Sequence, residues 1–222
     1  MIEKGWEGFS IEIFFHTHSK ALMSKLLRYA FNLLIPSFLV NLWLMVRYHC
    51  VIHPRARILF PTKIHIGRGT MIGKCTIVGQ GPIRIGRNCF INDYAILNAK
   101  TGSIVIGDQT SINHYSVVFG NGGVEIGRHC AIGLNVQIIK NHLIPKDRSD
   151  GYPKVSEQKT IIGDSVWLCS NVVVVDGVTI GSHAVVGAQS LVTKDIDEGA
   201  IAAGTPARTV KQRGQSEGPE GV

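Results

Sequence analysis

Aliphatic residues recur at a fixed interval through one uninterrupted stretch of this 222-residue chain. They stand six residues apart at Ile162, Leu168, Val174, Ile180, Val186 and Val192. A period of six does not fit an α-helix, which repeats every 3.6 residues, but it is a multiple of the two-residue repeat of a strand. The interval therefore predicts a solenoid of short strands in which each coil stacks on the next.

The same spacing continues upstream and groups its aliphatic anchors in threes. The eighteen anchors are Ile66, Ile72, Val78, Ile85, Ile91, Leu97, Ile106, Ile112, Val118, Ile126, Ile132, Ile138, Ile162, Leu168, Val174, Ile180, Val186 and Val192. The step within a triad is six residues, whereas the steps between triads are 7, 9, 8, 24 and 6. Extra residues enter only at every third corner, so we expect coils of three strands that stack as a triangular prism.

Small residues mark the predicted corners. Gly follows ten of the anchors, and Asn follows three more at Asn92, Asn98 and Asn113. Since Gly and Asn tolerate left-handed backbone conformations best, we expect such conformations at these positions. Small side chains four residues after the anchors, including Cys89 and Cys130, are expected to point into the narrow edges of the prism as packing.

The charge balance indicates an anionic ligand or surface. The formal net charge is +7, although charged residues make up only 18% of the chain. Nucleic acid, an acidic membrane and a phosphorylated cofactor all fit this balance, but the absence of a long Lys/Arg run or a nucleic-acid motif argues against nucleic acid. Five cysteines without a CxxC pair indicate neither a disulfide framework nor a zinc ribbon. With no signal-peptide layout at the N-terminus, a cytoplasmic location is expected.

Residues 21–48 form an apolar, helix-forming segment that Pro36 interrupts. Proline breaks the helical hydrogen-bond pattern, so two short helices that meet at Pro36 are expected. Their apolar run is too interrupted to make a good membrane-spanning helix. Basic residues, including Lys25 and Arg47, flank or stud the segment. Two interpretations stay open: helices in an anionic interface on the inner face of the cytoplasmic membrane, or helices packed on the protein or at a subunit interface.

The pattern divides the chain into an N-terminal segment (1–50), a repeat domain (51–210) and a flexible tail (211–222). The step of 24 residues from Ile138 to Ile162 adds a loop at 139–161, which is rich in Pro and charge. A long loop that leaves a regular solenoid is usually functional. It opens with Asn141 and His142.

The segment IGDSVWLCSNVVVVDGVTIGSHAVVGAQSLVTKDIDEGAIAAGTPARTV resembles the C-terminal coils of the hexapeptide-repeat acyltransferases. The resemblance is to the sugar O-acetyltransferase branch, which includes galactoside, maltose and polysaccharide O-acetyltransferases. It spans roughly residues 50–211 and is strongest over 160–210. It implies an all-β, left-handed parallel β-helix, a homotrimer, and acetyl-CoA as the acyl donor bound between neighbouring subunits, with no metal.

The resemblance also implies the site residues. His142 matches the catalytic histidine, and imidazole suits this role because its pKa lies near neutral pH. A thioester is already activated, so direct transfer to a hydroxyl needs no covalent intermediate. Asn113 matches an asparagine that contacts the acceptor or the thioester oxygen, although it also fits a corner asparagine. His114 is the rival base. The residues expected to contact the cofactor are Trp167, Ser170, Ala188, Thr193, Lys194 and Arg208.

Departures from the family pattern shape the expected acceptor. Cys169 stands where the family usually has Gly, and Asn121 replaces an aspartate that contacts sugar. The apolar segment 21–48 replaces a helical domain, which favours a surface-polysaccharide or lipid-linked glycan precursor as the acceptor. Three alternatives stay open: an N-acetyltransferase of a nucleotide-linked amino sugar, a non-catalytic β-helix scaffold, and, least favoured, a zinc-dependent β-helix carbonic anhydrase, for which a third nearby histidine is lacking.

Overall fold

The computed structural model describes residues 36–139 and 158–213, together with the backbone of two short strands at 143–144 and 154–155. Its contacts divide the chain into two units, Met1–Pro36 and Ser37–Val222. Apart from Pro36, every described residue belongs to the second unit. The first of the two predicted N-terminal helices and His142 therefore lie outside the described residues.

Three sheets form the faces of the solenoid. Face A contains β1 (Val51–Ile52), β4 (Met71–Ile72), β7 (Phe90–Ile91), β10 (Ser111–Ile112), β13 (Ala131–Ile132), β18 (Trp167–Leu168), β21 (Val185–Val186), β23 (Ala200–Gly204) and β24 (Ala207–Gln212). Face B contains β2 (Arg57–Leu59), β5 (Thr76–Val78), β8 (Ile96–Asn98), β11 (Val117–Phe119), β14 (Gln137–Ile139), β19 (Val173–Val175) and β22 (Leu191–Val192). Face C contains β3 (Ile64–Ile66), β6 (Ile83–Ile85), β9 (Ile104–Ile106), β12 (Val124–Ile126), β17 (Thr160–Ile162) and β20 (Thr179–Ile180).

Each coil takes one strand from each face, and strands on successive coils pair in parallel except where β23 turns back into β24. This is the predicted left-handed parallel β-helix. The large insertion leaves between faces B and C, at the predicted corner, and includes an antiparallel pair of β15 (Leu143–Ile144) and β16 (Lys154–Val155). The final strand β24 extends to Gln212, two residues into the segment predicted as a flexible tail.

Seventeen of the eighteen anchors are buried, and Val78 is the exception. Its neighbour Ile77 is fully buried instead and pairs with the anchor Leu97 on the next coil. The anchor prediction at Val78 is therefore wrong by one residue, because the register with Leu97 decides which of two adjacent aliphatic side chains turns inward. Ile52 and Ile58 are also buried, so a further coil precedes the first predicted triad.

The glycines that follow the anchors serve the stacking of coils, and the prediction of left-handed conformations at these positions is wrong. A Cβ on Gly67 would lie 2.4 Å from the carbonyl carbon of Gly86, and one on Gly181 would lie 2.4 Å from the backbone nitrogen of Glu198. Positive φ angles occur instead at the third residue after an anchor, at Asn88, Tyr94, Gln109, Tyr115, His129, Asn135, Ser165, Asn171, His183 and Gln189. The corners thus need glycine where backbones approach most closely.

Small polar side chains tie the coils together inside the prism. The Thr110 hydroxyl donates to the Gly127 carbonyl oxygen at 2.7 Å and accepts from the Cys130 backbone N–H at 3.1 Å. The Cys130 thiol in turn donates to the carbonyl oxygen of Gly163 at 3.1 Å. Burial raises the pKa of the Cys89 and Cys130 thiols. The prediction that both cysteines serve as packing is confirmed by their burial.

Helix α1 (Ser37–Tyr48) closes the N-terminal end of the solenoid and confirms the helix predicted after Pro36. Leu44 is buried against the first coil. The Asn41 side chain is also buried, and its Nδ2 donates to the carbonyl oxygens of His53, Pro54 and Ala56 at 3.0–3.3 Å. Within the described part of the chain, no helix reaches the length and apolar character needed to cross a membrane.

Candidate functional site

The predicted site residues that the structure describes lie along edges of the prism rather than on its faces, apart from Trp167 and Arg208. Edge AB, between faces A and B, comprises residues 113–115, 133–135, 169–171 and 187–189 on the last four full coils. Edge BC, between faces B and C, comprises residues 120–123, 176–178 and 193–195 together with the insertion that holds His142. Edge CA lies between faces C and A.

Edge CA carries a ladder of surface ion pairs. Arg87 contacts Asp108 at 2.7 Å, and Arg128 contacts Asp164 at the same distance. The backbone N–H of Arg87 lowers the pKa of Asp108, and the side chain of Arg128 lowers that of Asp164. Each of these two carboxylates is already paired with an arginine of the neighbouring coil. Edge CA is therefore a structural edge, and the candidate site lies on the other two.

Asn113 lies on edge AB, where it links three successive coils. The Asn92 Nδ2 donates to the Asn113 Oδ1 at 2.9 Å, and the Asn113 Nδ2 donates to the carbonyl oxygen of Ile132 at 3.1 Å. The left-handed position of this corner is Tyr115, with a φ of 62°, so the corner-asparagine interpretation of Asn113 is wrong. An amide nitrogen carries two N–H groups, so Asn113 can bind Ile132 with one and offer the other to a ligand oxygen.

The C-terminal part of edge AB exposes a strip of small residues. This small-residue strip comprises Cys169, Ser170, Gly187, Ala188 and Ala203. A hydrogen bond from the Gln189 N–H to the Ser170 carbonyl oxygen, 3.0 Å long, fixes the spacing of two of its coils. A Cβ on Gly187 would meet the Ala203 Cβ at 3.1 Å, so the next coil lies close beside it. None of the five side chains projects far from the backbone, so the surface of the strip is low.

Cys169 occupies the corner position that Gly133 and Gly187 occupy on the neighbouring coils, and it is half-buried. Burial raises the pKa of its thiol, which keeps the sulfur protonated and weakly nucleophilic at neutral pH. Its CH₂–SH group occupies space on the strip that would be open if this residue were Gly, as is usual in the family. Among residues 36–139 and 158–213, no neighbouring charge offsets this rise in the pKa.

Trp167 and Arg208 lie on face A near this edge. Trp167 is 54% exposed and lies between Ala131 and Val185 in the register of the sheet. Arg208 is exposed and pairs across the final hairpin with Ala203, which belongs to the small-residue strip. The Thr205 hydroxyl, at the tip of that hairpin, donates to the Gln189 carbonyl oxygen at 3.3 Å. An aromatic surface and a guanidinium group thus lie close to the strip.

Thr193 and Lys194 lie on a different edge from the strip. Both are exposed, and both follow β22 directly on edge BC. Face B separates them from Ser170 and Ala188. A single chain therefore does not bring all of the predicted donor residues together.

Two buried amide oxygens at or next to edge BC lack partners among the described residues. They are the Oδ1 atoms of Asn121, on the edge, and of Asn98, at the end of β8 beside it. The two residues lie on adjacent coils, because Asn98 pairs with Phe119 in the register of face B. Buried polar atoms are normally paired with protein or water. Sequence reasoning singled out Asn121 but missed Asn98, which looked like one more corner asparagine.

The described histidines are mostly surface residues. His65, His129 and His183 are exposed at regular coil positions, as the sequence predicted. His114 is exposed on edge AB directly beside Asn113, and its ring centroid lies 6.5 Å from that of Tyr115. Across residues 36–139 and 158–213, no group of three His, Cys, Asp or Glu side chains is arranged to hold a metal ion.

Comparison with known proteins agrees with this architecture. The family model for the bacterial transferase hexapeptide, six repeats, matches residues 159–194. The galactoside O-acetyltransferase of Lactococcus lactis is 34% identical over 137 residues, which cover 60% of this chain and 64% of that protein. The chain spans less than two thirds of the length of the first curated relatives it matches.

Two solved structures share the fold at low sequence identity. The polysialic acid O-acetyltransferase OatWY is 19% identical, with a TM-score of 0.57 over 78% of this chain and 90% of that one. A variant of AntD, an N-acyltransferase from Bacillus cereus in complex with dTDP and coenzyme A, is 22% identical, with a TM-score of 0.54 over 82% of this chain and 93% of that one. Residues 159–194 thus match the bacterial transferase hexapeptide family, and the six-residue repeat and the seven-stranded face B extend the same coil architecture along the described chain.

Proposed function

We propose that this chain transfers an acetyl group from acetyl-CoA to a sugar hydroxyl of a surface-polysaccharide or lipid-linked glycan precursor. The observation that carries the proposal is the small-residue strip on edge AB, flanked by Trp167 and Arg208. A narrow strip beside exposed backbone suits the thin pantetheine arm of CoA. The match of residues 159–194 to the hexapeptide transferase family and the similarity to a galactoside O-acetyltransferase support the same reaction.

The donor contacts follow from the size and charge of the strip and its surroundings. Ser170 and Ala188 leave room for the arm, because larger side chains would fill the space that it needs. Arg208 and Lys194 supply positive charge for the CoA phosphates, which suits a chain of net charge +7. Trp167, near edge AB, offers an exposed aromatic surface. Thr193, on edge BC, offers a hydroxyl group.

The site is completed between copies of the chain in a homotrimer. Face B separates the strip on edge AB from Thr193, Lys194 and the insertion on edge BC. A neighbour that sets its edge BC against edge AB of the first copy supplies what one chain lacks. Repetition of this contact around a threefold axis closes after three copies and forms three equivalent sites.

His142 is the general base of the proposed reaction. Its imidazole takes the proton from the sugar hydroxyl as the oxygen attacks the thioester carbonyl carbon. The second N–H of Asn113 stabilises the oxyanion that forms, a contribution of about 3–4 kcal/mol for one such donor. The tetrahedral intermediate then collapses, the carbon–sulfur bond breaks, and the CoA thiolate takes the proton from the imidazolium. The products are the acetyl ester and free CoA.

The acceptor binds beside the insertion on edge BC. The Asn98 and Asn121 side chains are half-buried and their Oδ1 atoms have no partner among the described residues, so a shift of either side chain offers a hydrogen-bond acceptor to a sugar hydroxyl. An aspartate at the position of Asn121 would add a negative charge that this chain lacks. The acceptor is therefore expected to differ from a free galactoside.

Release of free CoA thiol tests the proposal directly. Purified chain is given acetyl-CoA with simple galactosides, oligosaccharide fragments of surface glycans and a nucleotide-linked amino sugar. We expect turnover with a glycan hydroxyl. Turnover with the amino sugar alone would assign N-acetylation, in keeping with AntD, an N-acyltransferase that shares this fold. No turnover and no binding of acetyl-CoA would indicate a non-catalytic scaffold.

Two histidine variants identify the base. His142→Ala is expected to lower kcat by about 10²–10⁴-fold, the usual contribution of a general base. His114→Ala, on edge AB, is the matched control and is expected to leave kcat within about threefold. The reverse ranking would assign the base to His114, which lies beside Asn113.

A further inference from the structure

Helix α1 turns an apolar surface away from the protein. Its large exposed side chains recur with helical spacing at Phe38, Leu39, Leu42, Trp43 and Val46. We call this set the α1 face, and Val46 at its C-terminal end is 70% exposed. A surface helix normally presents its polar side to solvent. A contiguous apolar patch of this kind marks a binding surface.

The helix cannot turn this face inward, because its other side is fixed to the first coil. Asn41 is buried, and its amide satisfies three carbonyl oxygens of the chain that enters that coil. Leu44 is fully buried on the same side. Near the C-terminal end, the Tyr48 hydroxyl donates to the Ile64 carbonyl oxygen at 3.2 Å. The α1 face is therefore held outward by the fold itself.

Charge is distributed very unevenly along the sequence, and α1 lies in its acid-free part. Residues 13–92 hold eleven of the 23 Lys and Arg residues and none of the 16 Asp and Glu residues. The other residues hold twelve cations and all 16 acids. The net charge of 13–92 is thus +11, since eleven minus zero is eleven, whereas the rest is −4, since twelve minus sixteen is minus four.

Several of these cations surround α1. The Arg47 guanidinium lies 5.8 Å from the centre of the Trp43 ring and 5.5 Å from that of Tyr48. Arg55 is exposed between the carbonyl groups that Asn41 binds. Arg68 is exposed next to Gly69, whose N–H donates to the carbonyl oxygen of His49 just after the helix. An apolar surface with a cationic border is the pattern of an interfacial helix.

We propose that the α1 face docks on an anionic lipid bilayer, with Arg47, Arg55 and Arg68 against the lipid headgroups. Trp43 suits the level of the headgroups, where tryptophan is enriched. A second copy of the chain fits less well, because two acid-free surfaces would bring like charges together. Docking in this way brings the coils to a membrane where a lipid-linked acceptor is held. The docking does not depend on acetyl transfer, so it is tested without an activity measurement.

Sedimentation of the full chain with vesicles tests the docking. Binding is expected to phosphatidylcholine vesicles that contain phosphatidylglycerol, to weaken about tenfold without the anionic lipid, and to fall as salt is raised. Val46→Asp is expected to weaken binding about tenfold. Its matched control is Val210→Asp, because Val210 is 71% exposed on β24 at the other end of the solenoid, and this variant is expected to bind as the unchanged chain does.

A charge reversal tests the cationic border separately. Arg55→Glu is expected to weaken binding at least about fivefold, which corresponds to the contribution of one basic residue near an anionic surface. Lys100→Glu changes an exposed cation outside the acid-free segment by the same charge, and binding is expected to hold. If Arg55→Glu and Lys100→Glu weakened binding equally, the proposed contact of the cationic border with the lipid headgroups would be refuted.

Three results would overturn the docking. The first is that the unchanged chain does not sediment with anionic vesicles. The second is that Val46→Asp and Val210→Asp bind equally. The third is that Val46→Asp separates the copies in analytical ultracentrifugation, since the α1 face is then an interface between copies. If the circular dichroism spectrum of Val46→Asp shows that this variant is unfolded, the milder Leu42→Gln replaces it in the same comparison.

Discussion

Replacement of Thr110 by valine tests how the coils are held together. Thr110 is fully buried, and its hydroxyl is bonded to the Gly127 carbonyl oxygen and the Cys130 N–H. Valine has nearly the same shape but no hydroxyl, so both backbone groups lose this partner without a cavity. A buried polar group left unpaired costs about 1–3 kcal/mol, so the two together predict a loss of about 2–6 kcal/mol. That is a large share of the roughly 5–15 kcal/mol that stabilises a domain.

The matched control is Thr110→Ser, which keeps the hydroxyl and loses one methyl group, at a cost of about 1 kcal/mol. Urea unfolding followed by circular dichroism measures both variants, at one protein concentration because association adds to apparent stability. A lower midpoint with an unchanged slope reports a loss of stability. Equal midpoints for Thr110→Val and Thr110→Ser would refute the assignment of the hydroxyl as a link between coils.

Three further predictions concern the register, the thiols and the strip. Ile77→Ala should lower the free energy of unfolding by about 2–5 kcal/mol and Val78→Ala by less than about 1 kcal/mol, a difference that urea unfolding measures and that reverses if Val78 is the buried anchor. Burial raises the pKa of Cys75 from 9.0 to about 12, so the stability that the buried thiol contributes is complete below pH 9 and is lost as the pH rises from 9 to 12. Urea midpoints measured across this pH range test the prediction, and this loss should be absent from a Cys75→Ala variant. Ala188→Trp should raise the KM for acetyl-CoA at least about tenfold with an unchanged circular dichroism spectrum, whereas an unchanged KM would remove the strip from the donor site.

The six-residue pattern was sufficient to predict the coils because burial and register impose it directly. An inward aliphatic side chain is needed once per strand, so seventeen anchors could be located without coordinates. At Val78 the pattern failed because Ile77 is equally aliphatic, and only the register with Leu97 on the next coil decides between them. The corners were identified correctly from their glycines, but the reason why glycine is needed there was not. Close approach of successive backbones appears only once the coils are stacked.

Helix α1 shows where composition misleads. From polarity alone, Asn41 would be expected to face solvent and the aliphatic residues to face the core. In the structure Asn41 is buried and Val46 is exposed. The first coil presents three carbonyl oxygens to the helix, and only a side chain that donates hydrogen bonds can pair with them. Which side of an apolar helix faces inward therefore depended on the end of the solenoid that it covers.

The sequence proposes the residues of the candidate site one by one, but it does not show how they are arranged. The resemblance located Ser170, Ala188 and Thr193, and spacing alone places the first two and the third on different corners. Whether corners on different edges meet depends on a second copy of the chain. The buried oxygen of Asn98 was not foreseen, because its burial depends on neighbouring coils rather than on its own sequence position.

Complementation between two impaired variants is the most direct test of a shared acetyl-transfer site. Ala188→Trp obstructs edge AB and His142→Ala removes the proposed base from edge BC, so at acetyl-CoA concentrations well below the KM each variant alone is expected to keep less than about a tenth of wild-type activity. Co-expressed in equal amounts, they form mixed trimers in which one site in three combines an intact edge AB with an intact His142. Random mixing makes three quarters of the trimers mixed, which predicts a return to about a quarter of wild-type acetyl transfer. No recovery in trimers shown to contain both variants would contradict the account, since each site would then belong to a single chain.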